Sequence, residues 1–262
     1  MSISDETREV WDRIAGWWDG AIGEGNEFQR SLIMPATDRL LDPQRGQEIL
    51  DIACGNGNYS RLLGRRGARV LACDFCRTFL DRARQRTTAD DGEIEYRLVD
   101  ATDESQIQSL GQSRFDSAVC SMAMMDMPTI DPLLKSLRRV LKPGGRFVFS
   151  LPHPCFNSGS RLTAELSSEA GRMRQTFGVA IEKYLTPREE LSAGIINQPE
   201  PHPLFHRPLS KILGSCFSAG FVVDGLEEPA FAPEAGANKN PFSWQKRPEI
   251  PPAIVIRLRN FE

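Results

Sequence analysis

The chain has 262 residues, with 32 Lys and Arg against 35 Asp and Glu, a formal net charge of -3 and 40% apolar residues. This balance excludes disordered and collagen-like chains, and at ~100 to 200 residues per domain the length fits one domain with an appended cap. The near-neutral charge offers no general attraction for a polyanion. The longest mostly apolar run, Phe115 to Met127, is interrupted by Asp116 and Asp126 and is shorter than the ~20 residues a bilayer requires. The start from Met1 to Thr7 is polar and acidic rather than basic and then apolar, so a cytoplasmic protein is expected.

Val10, Trp11, Ile14, Trp17 and Trp18 recur at helical spacing after Asp5 and Glu6, which predicts a helical cap over residues 1–42. From 46 to 152 short apolar runs alternate with helical periods. The runs are Ile49 to Ile52, Val70 to Cys73, Ile94 to Val99, Phe115 to Cys120 and Phe147 to Leu151. Strands alternating with helices predict parallel pairing in a doubly wound α/β sheet. Lys142-Pro143-Gly144-Gly145 reads as a tight turn before the fifth strand.

Six prolines between 152 and 203 argue against long regular elements, so residues 153–208 read as an irregular insertion lying over the sheet edge. The remainder, 209–262, reads as a helix from Leu209 to Phe217, then strands at Phe221 to Val223 and Ala253 to Leu258. Between these strands Glu228 to Pro252 forms a long loop. The whole is expected to be a single domain of residues 1–262.

Six cysteines scattered through such a chain read as buried thiols, and the lone pair Cys73 and Cys76 lacks the two further ligands of a zinc site. No metal is expected.

In an open parallel sheet a ligand sits beyond the carboxyl ends of the strands. Asp51-Ile52-Ala53-Cys54-Gly55-Asn56-Gly57 joins a strand to a helix through two glycines that let backbone N–H groups approach a ligand. A dinucleotide fingerprint would place a third glycine where Ser60 stands, which weakens a nicotinamide or flavin reading. Asp74 closes the second strand, where a carboxylate can accept ribose hydroxyls, and Asp100-Ala101 closes the third. Taken singly these are a tight turn, a surface carboxylate and a helix cap; their joint occurrence is informative.

With these residues the sequence resembles the class I S-adenosylmethionine-dependent methyltransferases, in particular a bacterial small-molecule branch similar to the quinone-biosynthesis enzymes. The resemblance is carried by Leu50 to Gly57, Asp74, Asp100-Ala101 and Leu141-Lys142-Pro143-Gly144-Gly145, with Ala53 where the family has its first glycine. It implies a Rossmann-like, seven-stranded, mostly parallel sheet whose last strand is antiparallel, and S-adenosyl-L-methionine as cofactor. Asp51, Ala53, Gly55, Asn56 and Gly57 would hold the methionine part, Asp74 the ribose, and Asp100 with Ala101 the adenine, flanked by Phe75. Ser121 and Met122 would line the methyl side, and the Trp17–Trp18 pair, Trp18 above all, would face the sulfonium or anchor the helix. Arg30 is a weaker candidate for the cofactor carboxylate.

Methyl transfer from a sulfonium requires alignment, exclusion of water and, for a hydroxyl acceptor, removal of a proton. The three histidines, His153, His202 and His206, all fall in the insertion. His153 and His206 are the candidate general bases, His153 by its position after the fifth strand and His206 with a loop clamp beside Arg207 as its competing role. Tyr184 and Asp126 are candidate acceptor contacts.

The expected partner is a small-molecule methyl acceptor. A nucleic-acid methyltransferase would use a basic stripe, but Arg61, Arg65, Arg66, Arg69, Arg82, Arg84 and Arg86 read as solvated helix faces. A nucleotide-dependent oxidoreductase and a non-catalytic cofactor-binding module are also compatible with a two-glycine loop and strand-end acids. Nothing in the sequence fixes the oligomeric state, a homodimer included.

Overall fold

A computed structural model describes residues 3–169, 171–233 and 239–261. Strands β1 (Glu48–Ile52), β2 (Arg69–Asp74), β3 (Glu93–Leu98), β4 (Phe115–Ser121), β5 (Leu141–Pro152), β10 (Val222–Glu227) and β11 (Ala253–Arg259) form one sheet in the order β10-β11-β5-β4-β1-β2-β3. β1 to β5 pair in parallel, and β11 is antiparallel to both of its neighbours. All seven expected strands are therefore present, with the last one antiparallel. Strand order reverses between β1 and β4, which opens a crevice over their carboxyl ends.

The central strands are apolar on both faces because side chains alternate across a buried parallel sheet. Leu50, Leu71, Phe115 and Phe147 pack on one face with Ile107 of α5 (Glu104–Gln108), Leu133, Leu134 and Leu137 of α6 (Asp131–Val140) and Cys216 of α7 (Leu209–Ser218). Ile49, Val70, Val119 and Val148 pack on the other against Leu40 and Leu41 of α2 (Met34–Leu41) and Leu63 of α3 (Asn58–Arg65). No helix among the described residues is long and apolar enough to cross a membrane.

α1 (Ile3–Ile22) runs through the tryptophan-rich stretch as its periodicity predicts. It seats Trp11, Ile14 and Ala15 against Cys76 and against Phe79 of α4 (Arg77–Arg86). A π-helical turn, Gln29–Ile33, leads directly into α2. Several expected surface arginines instead tie this region to the core. Arg86 Nε donates to Asp19 Oδ1 at 2.7 Å and Arg66 Nη2 to Asp38 Oδ2 at 2.6 Å. Arg61 is not solvated at all, being 1% exposed, with Nη1 donating to Asn56 O and Nη2 to Glu24 Oε1.

Residues 153–208 depart from the irregular insertion expected of them. They fold into two hairpins, β6 (Arg161–Glu169) with β7 (Arg172–Ala180), and β8 (Arg188–Ser192) with β9 (His202–His206). The prolines misled because none lies inside the first hairpin, and Pro203 sits in a two-stranded sheet, where a strand can present its missing N–H to the unpaired side. The Lys142 to Gly145 stretch also differs from a free turn. It bulges within β5, so that Leu141 pairs with Phe115 and Arg146 with Ser117. Gly144 there adopts φ +76° and donates its N–H to Asn260 O. Within the long loop from Glu228 to Pro252, residues 234–238 lie outside the described residues.

Candidate active site

A cavity of about 610 Å³ lies over the carboxyl ends of β1 to β4. Its wall brings together Asp51, Ala53, Gly55, Asn56, Asp74, Phe75, Asp100, Ala101, Ser121, Met122 and Trp18, residues separated by up to 104 positions in the chain. Gly57 stands behind this wall. With φ +74° it caps α3, and a β-carbon there would meet Tyr96 Oη at 2.5 Å, so its glycine serves the turn itself. Arg30 is exposed and away from the cavity.

The two strand ends that flank the reversal both carry non-glycine residues in the left-handed region, Ala53 at φ +52° and Met122 at φ +54°. An L-residue held there costs about 1 to 2 kcal/mol and persists only where its surroundings impose it. Ala53 thus keeps the backbone turn that a glycine would take. A β-carbon at Gly55, by contrast, would meet no atom within 4 Å, so the loop leaves open space on the cavity side.

Asp51 is sealed at the end of β1, where Ser60 Oγ donates to its Oδ2 at 2.5 Å. The residue at the absent third glycine position therefore orients a carboxylate. Burial pushes the Asp51 carboxyl up to about 7 despite that bond. Burial also pushes Asp74 up to about 6, opposed by the N–H groups of Cys76 and Gly55, which donate to Oδ1 at 2.9 Å and to Oδ2 at 2.8 Å. A carboxylate has about four lone-pair sites, so each oxygen keeps capacity for a ligand hydroxyl.

Both carboxyls hold a proton more tightly in the folded protein than in the unfolded chain, where Asp titrates near ~3.9. Stability of the ligand-free protein should therefore fall as pH rises from about 4 to 7 and level off above that window. Scanning calorimetry should give a higher melting temperature at pH 5 than at pH 8. A cationic ligand should bind more tightly across the same rise, and a flat profile would contradict the buried setting of these groups.

The structure does not bring the two expected bases to the cavity. His153 is 2% exposed, stacked on Phe156, with Nε2 at 2.9 Å from Glu228 Oε1 and Nδ1 accepting from Cys155 N. His206 is also 2% exposed, between Ser158 Oγ and Tyr184 O, each at 2.7 Å. Strand-end position misled here because the chain turns away after Pro152, so both rings hold the insertion together. His202 lines the cavity instead, stacked on Trp11 at 4.6 Å between ring centroids and 3.5 Å from Asp126 Oδ1. Only the pairing of β9 against β8 and α1 distinguishes it, and no local pattern announces that pairing. The Tyr184 hydroxyl is engaged elsewhere, accepting from Leu209 N.

Four aspartates, Asp51, Asp74, Asp100 and Asp126, line the cavity, and neither Lys nor Arg does among the described residues. Such a wall repels a dinucleotide pyrophosphate and favours a cation.

Residues 50–149 match a methyltransferase domain family. The chain is 35% identical over 154 residues to a demethylmenaquinone methyltransferase of Clavibacter sepedonicus, covering 58% of each protein. It is 27% identical over 149 residues to a ubiquinone biosynthesis O-methyltransferase of Coxiella burnetii, covering 56% of this chain and 61% of that protein. The chain thus matches less than two thirds of the length of either relative. An S-adenosylmethionine-dependent methyltransferase structure from Mesorhizobium loti superposes with a TM-score of 0.66 at 27% identity, over 86% of this chain and 96% of that one. Residues 50–149 are thus similar to a methyltransferase domain, and they sit within the Rossmann-like fold shared with that S-adenosylmethionine-dependent methyltransferase structure.

The cavity fits S-adenosylmethionine on three counts. Its carboxylates suit a ligand carrying an ammonium and a sulfonium. The open side of Gly55 leaves room against the loop. Two buried polar atoms of the wall, Trp18 Nε1 and Gln29 Oε1, have no hydrogen-bond partner and could meet polar groups of a ligand.

Proposed function

We propose that the chain transfers the methyl group of S-adenosylmethionine to a small-molecule acceptor held between the carboxyl edge of the sheet and a cap made of residues 1–42 and 153–208. The observation that carries this reading is the acidic cavity lined jointly by the strand ends, by α1 and by the β8–β9 hairpin. Relatives named for demethylmenaquinone and for ubiquinone biosynthesis support a small acceptor. Bound there, the cofactor supplies a methyl carbon activated by a sulfonium leaving group.

In this reading Asp51 with Ala53, Gly55 and Asn56 of the loop holds the methionine part, Asp74 accepts the ribose hydroxyls, and Asp100 with Ala101 receives the adenine beside Phe75. Ser121 and Met122 border the methyl group, and the ring face of Trp18 attracts the sulfonium charge. Residues of the cap exclude water and align the acceptor. A nucleic-acid acceptor is disfavoured because Arg61, Arg66 and Arg86 are engaged in internal contacts. A cytoplasmic location belongs to the same reading, supported by six free cysteines, of which Cys73, Cys76, Cys120 and Cys216 are buried.

Calorimetric titration with S-adenosylmethionine, its demethylated product and NAD tests the cofactor. Saturable binding of the first two and none of NAD is expected. Binding of NAD alone would overturn the reading.

A further inference from the structure

We propose that Asp126 is the proton acceptor for the reaction, that His202 positions it, and that the methyl acceptor is therefore a hydroxyl carried on an apolar body. The proposal rests on the methyl-transfer reading and concerns the side of the same cavity formed by the end of β4 and by β9.

Asp126 lies in the turn after β4, lines the cavity, and has a side chain 13% exposed. Its Oδ1 is buried without a hydrogen-bond partner; the nearest donor, His202 Nε2, stands 3.5 Å away, at the long limit of such a bond. A buried carboxylate kept so poorly paired is costly and awaits a donor from a ligand. Burial raises its affinity for a proton, against the smaller opposing effect of His202.

The imidazole is oriented from its other edge. Gly194 N donates to Gln198 Oε1 at 3.0 Å, and Gln198 Nε2 donates to Glu200 O at 2.5 Å, which fixes the orientation of the amide. The same Nε2 faces His202 Nδ1 at 3.0 Å, so Nδ1 accepts and the ring proton sits on Nε2, directed at Asp126. The ring is held in place by Trp11 and by Gly194, where a β-carbon would come within 3.4 Å of Cε1. The other charged and titratable groups around this turn do not compete. Arg207 donates to the carbonyls of Met124 and Met127, Asp131 faces Arg207, and β4 contributes the buried thiol of Cys120.

A donor resting on Asp126 would be the O–H of the acceptor, with Met122, Met125, Met127 and Leu204 around its body. In the transfer the acceptor oxygen forms its bond to the methyl carbon as the carbon–sulfur bond breaks, leaving its electron pair on sulfur. The hydroxyl proton passes to Asp126, and His202 Nε2–H holds the carboxylate in line.

The test uses the wild type, Asp126→Asn and His202→Phe with S-adenosylmethionine and a matched set: 2-naphthol, catechol and hydroquinone against 2-naphthylamine and 2-naphthalenethiol. The wild type should methylate hydroxyl probes. Asp126→Asn should lose at least 100-fold in kcat measured at saturating S-adenosylmethionine, with the Kd of that cofactor titrated alongside. Without any ligand it should also melt above the wild type at pH 8, because the ionised, desolvated carboxylate destabilises the fold there and the amide does not. His202→Phe should move the ascending limb of kcat against pH upward and recover turnover at high pH, which a merely structural role would not produce. Turnover of Asp126→Asn within threefold of wild type overturns the proposal. So does a melting temperature at or below that of wild type, or a wild type that binds the cofactor and methylates no hydroxyl probe. A wild type that fails to bind S-adenosylmethionine refutes the underlying reading instead.

Discussion

Replacing Asp74 with alanine is expected to weaken S-adenosylmethionine binding by about 10- to 100-fold, the equivalent of losing hydrogen bonds to a charged group worth ~1.5 to 3 kcal/mol. The side chain does two things at once. Its oxygens hold the N–H groups of Gly55 and Cys76, which shape the loop between β1 and α3, and in the proposed reading they keep lone pairs for the ribose. Asp74→Asn should fall between wild type and alanine, since it keeps one acceptor and loses the charge. Titration calorimetry reads both variants, and an affinity equal to that of the wild type in Asp74→Ala would remove the ribose assignment and with it the placement of the cofactor.

Gly64→Ala should produce the largest loss of stability, about 3 kcal/mol, at the upper end of what overpacking a core costs. A β-carbon at Gly64 would lie 2.0 Å from the carbonyl oxygen of Asp91 and 3.1 Å from Ile94 Cγ1, and a backbone carbonyl cannot swing aside as a side chain would. The contact is mutual. Gly92, at φ +80°, would bring its own β-carbon to 2.5 Å from Gly64 O. This pair sets how closely α3 lies on the connection into β3, and Arg65 reinforces it through Asp91. Gly16→Ala gives the opposite sign. It lies in α1 with nothing within 4 Å of the added carbon, so helix propensity alone should raise stability by up to ~1 kcal/mol. Thermal melting of the two variants separates packing from propensity, and equal melting temperatures would discard the interlock.

Much of the core is legible in the sequence because its signals are local. Val70 to Cys73 is apolar on both faces and stops at an acid, and Ile49 to Ile52 is apolar apart from Asp51 and stops at a turn, as strands of a buried parallel sheet do. The cavity-lining residues at the ends of β1 to β4 are legible for the same reason, since each of these strand ends delivers its next one or two side chains to the crevice. Prediction fails where the chain leaves the sheet. The first hairpin of the insertion is obscured by prolines that flank it, and His153 follows a strand end although the backbone after Pro152 carries it away from the cavity.

The amino-acid sequence by itself determined the alternation of strand and helix, the loop and acids at the strand ends, and the helical face of α1. These follow from side-chain period, from glycine's conformational freedom and from the position of carboxylates next to apolar runs. Only the tertiary structure decided that His202 rather than His153 or His206 meets the cavity, that Asp126 is left without a firm partner, that Ser60 orients Asp51, and that Gly64 and Gly92 interlock. Each depends on which distant segments are pressed together and on which polar atoms lose water in the process. Those are consequences of packing between residues far apart in the chain, and no spacing within one segment encodes them.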